Sequence, residues 1–521
     1  MTFIRSWSER KALAAILIFA ALIRIALVFR SEPLIYTKYF QEDAYYLFNC
    51  AEHFAHGDGF SVDGIHPTNG VQPLIVILYA PLFLLSNFDK VLALKFAFVY
   101  TALFDCLSMV LLFLLLKTLK KKPDDEQVTS VWQRPPVIAA LLYGTLFPIF
   151  VHTVSGLETG LYSMLILASL YQYALILKSR KETSPISLWK YLGLGITLGF
   201  AVLARIDGVI FVGMIALYEL ITSKSKAIAS ASIISISAFI ISLPWWYYNY
   251  STFGSLMPQS GISERLDANI MRSFWQTIST IADCLSVFFS LTKMIDIPII
   301  YYIVWFIAVV AGVIWIFRKL KLRQYLQHTY SIDPIIPLLW MGGALAFYYT
   351  FFFAAPHFIP RYLQPLRIAI LIIAAMIIPE IIRELSGSRL KKIILYLFIA
   401  AAAANTFVRY PPNFLTKDIS SFYLMGKWAL TKPESRIGMY QTGATGFIAP
   451  NVVNLDGKVN YEALLARQNG GIGKYIAVAN LDYIADQPLL ASEIVQSAEK
   501  YGVHYVLSDS IKEVMIYKLV R

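Results

Sequence analysis

The chain has 521 residues, of which 57% are apolar and only 15% charged, with a formal net charge of +12. Soluble domains sit near 45–50% apolar and about 25% charged, so this composition excludes an ordinary soluble fold and points to a polytopic membrane protein. The basic excess reads as Lys and Arg gathered in cytoplasmic loops, not as a nucleic-acid surface.

The first apolar run, Lys11–Phe29, is too long for a signal-peptide core and lacks a small-residue cleavage site, so it reads as an uncleaved anchor. Arg5, Arg10 and Lys11 precede it and put the N-terminus in the cytoplasm, with a first span over 12–29. A long outer loop, 30–89, follows. It contains the apolar run Val71–Ser86, which is short of the ~20 residues that a bilayer requires.

The cluster Lys117, Lys120, Lys121 and Lys122 decides how that run lies. If 71–86 crossed, this cluster and every later basic loop would fall outside. If it lies in the interface, the second span is 90–116, and the basic groups Lys178–Lys181, Lys224–Lys226, Arg318–Arg323 and Arg383–Lys392 are all cytoplasmic. The second arrangement is adopted. Further spans are expected at 136–151, 159–177, 187–204, 208–222, 227–249, 296–317, 334–354, 364–382 and 391–408, about eleven crossings in all, with the C-terminus outside.

Beyond 409 the pattern changes. Apolar runs shorten to strand length at Arg436–Tyr440, Asn451–Leu455 and His504–Leu507, with an amphipathic stretch at Ser492–Lys500. Such alternation predicts a small α/β domain over 410–521, following a membrane domain over 1–409. Cys50, Cys106 and Cys284 form no disulfide framework.

Polar, non-repetitive sequence collects on the outer side. The first outer loop reads Gln41-Glu42-Asp43-Ala44-Tyr45-Tyr46, and adjacent carboxylates beside a membrane body suit a general base whose pKa burial has raised. The competing reading is a solvated acid, or a helix N-cap at Asp43. His53, His56 and His66 invite a metal site, but no HExxH-type pattern supports one.

Glu158, at the mouth of a span, is either functional or a first-turn acid facing the helix dipole. Arg205 and Asp207 form an ion pair or an anion clamp. His357 and Arg361 stand at the outer end of another span, where an arginine fork suits a phosphate and Tyr362 suits interface anchoring. Arg24 is expected to snorkel or to reach a lipid phosphate, whereas Lys95 and Asp105 read as packing polar groups. The aromatics from Trp245 to Tyr250 form a belt, or stack on sugars or a prenyl chain.

Asp43-Ala44-Tyr45-Tyr46, Gly57-Asp58-Gly59 and the run Pro67-Thr68-Asn69-Gly70-Val71-Gln72-Pro73-Leu74 resemble the first outer loop of GT-C glycosyltransferases. The likeness is to the protein O-mannosyltransferase and aminoarabinose transferase group and to the bacterial arabinofuranosyltransferases. Four later blocks, Ser155–Thr159, Ala204–Gly208, Arg361-Tyr362 and Asn454–Asn460, resemble a bacterial branch of that superfamily.

The resemblance implies a GT-C membrane domain with 71–86 as a juxtamembrane segment, and an extracytoplasmic α/β domain. It also implies an inverting transferase in the cell membrane that moves a sugar from a polyprenyl-phosphate donor to a hydroxyl on a glycan, glycolipid or protein. Asp43 would be the base, with Glu42 the alternative, because relatives carry two aspartates where this chain begins with Glu42. Arg361, His357 and Arg205 would face the donor phosphate. Tyr45, Tyr46, Glu158, His66, Asn69, Gln72 and Tyr362 would contact donor or acceptor. No cofactor is required, and a divalent metal is not favoured. Two other readings are a transporter or flippase for a lipid-linked glycan, and a non-catalytic scaffold of envelope-glycan assembly. Against transport, the polar residues gather at one face instead of the midplane.

Overall fold

The computed structural model describes residues 7–121, 130–182, 187–223, 227–287, 299–386 and 418–520, with Arg389, Ile393, Tyr396, Leu397, Ala400 and Ala404 in between. Among the described residues, six helices are long and apolar enough to cross a membrane: Glu9–Phe29, Lys90–Leu119, Thr159–Lys181, Ala227–Phe253, Asp333–Phe353 and Gln364–Leu385. Two bent pairs raise the number to eight if each is one span. Leu188–Ala204, Gly208–Thr222 and Pro73–Leu85 are shorter apolar helices. The chain is a multi-pass membrane protein. The expected span 391–408 lies almost wholly outside the described residues, as do Lys122 and Lys224–Lys226.

Local chemistry sets the helix ends. Ser8 caps the first helix by accepting from the Lys11 N–H, and Asp89 caps Lys90–Leu119 by accepting from the Leu92 N–H. Pro73 and Pro135 start helices at a position where the missing N–H costs nothing.

Pro148 has the opposite effect. It cannot donate to the Gly144 carbonyl, and the helix Pro135–Thr145 turns by 60° into Phe147–Thr153. The freed Gly144 carbonyl accepts from Arg24 at 3.2 Å. Arg24 also meets Asp105 at 2.6 Å, and both side chains are fully buried. Thr153 and Tyr143 donate to the same carboxylate. The expectation that Arg24 snorkels is therefore corrected. A buried guanidinium is retained when its charge and its N–H groups are met inside the bundle.

The C-terminal unit holds a five-stranded sheet in the order β2-β1-β3-β5-β4: β1 Ile437–Met439, β2 Val452–Asn454, β3 Tyr483–Asp486, β4 Tyr505–Ile511 and β5 Val514–Leu519. The first three strands are parallel, while β5 runs antiparallel to β3 and forms a hairpin with β4. The three expected strands are present. β3 and β5 were not marked by the apolar pattern.

This unit packs directly on the membrane body. Phe447, from the helix Gly443–Ile448, enters a cluster with Tyr36, Tyr45, Phe48 and Phe83, and its carbonyl accepts from Lys90 at 2.7 Å. The helix Pro73–Leu85 lies alongside Ala44–His56 and buries Ile75, Val76, Tyr79 and Phe83.

Candidate active site

Glu42 and Asp43 stand just before the helix Ala44–His56, and their side chains diverge. Glu42 turns toward the C-terminal unit, where its Oε1 accepts from the Ala444 N–H at 2.8 Å. Burial pushes its carboxyl up to about 8, although that N–H and Lys458 oppose the shift. Glu42 is therefore largely protonated at neutral pH.

Asp43 makes no capping bond to its own helix. Its Oδ1 instead accepts from Lys458 Nζ at 3.2 Å. Burial alone would raise the Asp43 carboxyl, but Lys458 and Arg361 more than compensate and hold it below the ordinary range. Of the two adjacent acids, the ionised one is Asp43.

Asp43 borders two cavities. The first has a volume of about 400 Å³ and is lined by Tyr46, Gln72, Arg205, Arg361, Tyr362, Glu264 and Lys458 among others. Its apolar wall includes Val202 and Val209, which also line a neighbouring groove of about 620 Å³ between the helices Leu188–Ala204, Gly208–Thr222 and Ala227–Phe253. Trp246, Tyr247 and Tyr250 line that groove. The second cavity, about 330 Å³, lies between the first loop and the C-terminal unit. Gln41, Glu42, Tyr46, His357, Phe358, Gln441, Asp456 and Lys458 surround it.

The two arginines of the first cavity differ in one respect that bears on anion binding. Arg205 meets Glu158 at 2.7 Å and Asp207 at 2.6 Å, with Tyr362 beneath its guanidinium at 4.1 Å. Tyr349, in a π-helical turn over Tyr349–Phe353, donates to Asp207 at 2.9 Å and completes this network. Arg361 is also buried, but among the described residues no carboxylate pairs with it. It donates to Gln41 at 3.3 Å and to the Tyr362 hydroxyl at 3.4 Å, and its Nε has no hydrogen-bond partner among the described residues.

The other expected residues divide. Tyr46, Gln72 and Tyr362 reach the first cavity. Asn69 is buried as a tie, with its Oδ1 accepting from the Gln259 N–H at 2.9 Å. Tyr45 is stacked on Tyr36 in the aromatic cluster and lines neither cavity. His66 is exposed and paired with Asp63 at 2.7 Å, away from both. His357, largely exposed, lies 3.7 Å from Glu264 and borders the second cavity but not the first. His53 pairs with Asp58 and His56 stacks on Phe88, so the three histidines do not converge. Among the described residues, no group of three His, Cys, Asp or Glu side chains is placed to hold a metal ion.

Two residues of the site were not singled out from the sequence. Lys458 follows an Asp-Gly turn, and Glu264 lies in the helix Gln259–Leu266, which follows the long helix Ala227–Phe253. Lys458 was marked only as part of the block Asn454–Asn460, and Glu264 only by its position in a polar loop expected on the outer face.

Neither the protein-family models nor the curated proteins match the sequence. Solved structures match the fold. ArnT from Cupriavidus metallidurans, solved bound to undecaprenyl phosphate, aligns over 96% of this chain and 97% of its own at TM-score 0.56 and 13% identity. The chain shares the fold of this structure. Archaeal oligosaccharyltransferase AglB from Archaeoglobus fulgidus, solved with an inhibitory peptide and a dolichol-phosphate, aligns over 99% of this chain and 75% of its own. Its TM-score is 0.52 and its identity 13%. In this fold the membrane helices and the C-terminal α/β unit together line the cavities beside Asp43.

Proposed function

We propose that the protein is an inverting glycosyltransferase that moves a monosaccharide from a polyprenyl-phosphate donor to an acceptor hydroxyl at the outer face of the cell membrane. The observation that carries this reading is the position of Asp43, an ionised carboxylate on the wall shared by two cavities. The first cavity shares the wall residues Val202 and Val209 with an apolar groove and contains Arg361, a buried cation that no carboxylate among the described residues pairs with. Both solved relatives were captured with a lipid phosphate, which fits that pairing of groove and cation.

In the proposed reaction the prenyl chain lies in the groove and the phosphate meets Arg361, whose fork matches its oxygens. The acceptor hydroxyl enters from the second cavity. Asp43 takes its proton as the acceptor oxygen bonds to the anomeric carbon, and the bond from that carbon to the phosphate oxygen breaks on the opposite side. The electron pair leaves with polyprenyl phosphate and is stabilised by Arg361. The anomeric centre inverts, and no covalent enzyme intermediate forms. Arg205, already claimed by Glu158 and Asp207, would shape the cavity and leave the phosphate to Arg361. No cofactor takes part in this scheme, so EDTA should leave turnover unchanged.

The test is a transfer assay in purified membranes with radiolabelled polyprenyl-phosphate sugars. Asp43→Asn should reduce release of polyprenyl phosphate by about 100- to 10,000-fold. A folded wild-type protein that releases polyprenyl phosphate from no donor would overturn the reading. The topology is checked by cysteine labelling at Lys121 and Ser420, which should give opposite sidedness.

A further inference from the structure

Lys458 is the point at which three separate parts of the chain meet. Its Nζ lies 3.2 Å from Asp43 Oδ1 in the first loop, 2.8 Å from Glu264 Oε1 in the helix Gln259–Leu266, and 3.9 Å from Asp456 Oδ2 in its own turn. The Phe358 ring lies 5.7 Å away.

The backbone leaves this side chain little freedom. The Gly457 N–H donates to Asn454 Oδ1 at 3.1 Å and the Lys458 N–H to Asp456 Oδ1 at 2.8 Å, with Gly457 at a φ of +80°. The Lys458 carbonyl sits against Gly70, so close that a Cβ at Gly70 would collide with it. Ser263 and Arg467 both donate to the Asp456 carbonyl from outside the turn.

We infer that Lys458 is a positioning residue of the transfer reaction: it fixes Oδ1 of Asp43 and leaves Oδ2 turned to the acceptor's proton. The C-terminal unit would thereby supply part of the machinery of the membrane site, and a chain without that unit docked would lack a correctly held base. This inference rests on Asp43 being the base. Removing a neighbouring opposite charge raises a carboxylate's pKa by about one to three pH units. The other charged or titratable groups facing Asp43 are Arg361, His357, Glu42 and Tyr46, and those facing Lys458 besides Asp43 are Glu264, Asp456, Tyr46, Glu42 and His357.

The experiment is an infrared difference titration of the full-length protein in lipid, with the Asp43 carboxyl band assigned by subtraction of Asp43→Asn. In parallel, the pH profile of turnover is measured with whichever undecaprenyl-phosphate hexose or pentose the wild type accepts. Lys458→Met should move the Asp43 titration upward by about one to three pH units, and the acidic limb of turnover should follow it. Lys458→Arg should keep both near their wild-type positions. If Lys458→Met does not fold, Glu264→Gln is the second variant; it removes a competitor for the ammonium and should move the titration downward. An Asp43 band that stays in place in Lys458→Met and Glu264→Gln, or that moves as far in Lys458→Arg as in Lys458→Met, overturns the inference. Undiminished transfer by Asp43→Asn would instead overturn the assignment of the base, whatever the titration shows.

Discussion

Asp43 and Lys458 are 415 residues apart in the chain and meet at 3.2 Å. One comes from the loop before the helix Ala44–His56 and the other from the C-terminal α/β unit, so this contact is one of those that tie the unit to the membrane body, and both residues line both cavities.

The two adjacent acids should separate in their effects. Asp43→Asn should abolish most transfer, whereas Glu42→Gln, which keeps the shape and neutrality of the buried side chain, should retain activity within about tenfold of wild type. The two turnover numbers, measured in the same membranes, make the comparison. Equal losses would mean that Glu42 has a chemical part.

Docking of the C-terminal unit should depend on pH. Burial raises the Glu42 pKa from 4.5 in the unfolded chain to about 8, so the folded state favours the protonated form. The stability linked to that proton is complete below the unfolded value, declines above it, and is lost as pH passes about 8. Protease cleavage of the region after 418 should therefore rise between about pH 5 and pH 8 and level off above that, and Glu42→Gln should flatten the rise. An unchanged rise in the variant would count against this origin.

Arg361 should matter as a fork more than as a charge. Hydrogen bonds to charged groups contribute about 1.5–3 kcal/mol, so Arg361→Ala should weaken polyprenyl-phosphate binding by about 10- to 150-fold. Arg361→Lys should recover only part of that loss. Product inhibition by undecaprenyl phosphate measures both.

Asp105→Ala should be more damaging than loss of the whole pair. It leaves the buried Arg24 guanidinium without its counter-charge, at a cost of about 3–5 kcal/mol. The double variant Arg24→Met with Asp105→Leu should be closer to wild type. Thermal unfolding in detergent gives the order of the two.

Gly443→Ala should loosen the C-terminal unit. A Cβ at Gly443 would run into the Glu42 backbone carbonyl, which cannot move without shifting the residue beside Asp43. Reduced transfer together with faster proteolysis after 418 is the expected pair of results.

The sequence by itself determined the membrane class and most helices. The length of an apolar run and the charges at its ends are local quantities, and bilayer thickness converts them into spans. It also placed the acids of the first loop and Arg361 at the same side of the membrane body, and marked three of the five strands. β3 was missed because its run Tyr483–Asp486 ends in an aspartate, which only tertiary packing buries.

Only the tertiary structure decided the division of labour in the site. Glu42 and Asp43 are neighbours with nearly the same chemistry, yet one caps a helix of another domain while the other stays ionised beside Lys458. Arg205 and Arg361 likewise look alike in sequence. Their roles separate because Glu158 and Asp207 contact Arg205 directly, while no described carboxylate lies within ion-pair distance of Arg361. Each of these differences depends on which groups burial brings within a few ångströms, and long-range packing sets that. Local composition does not encode it.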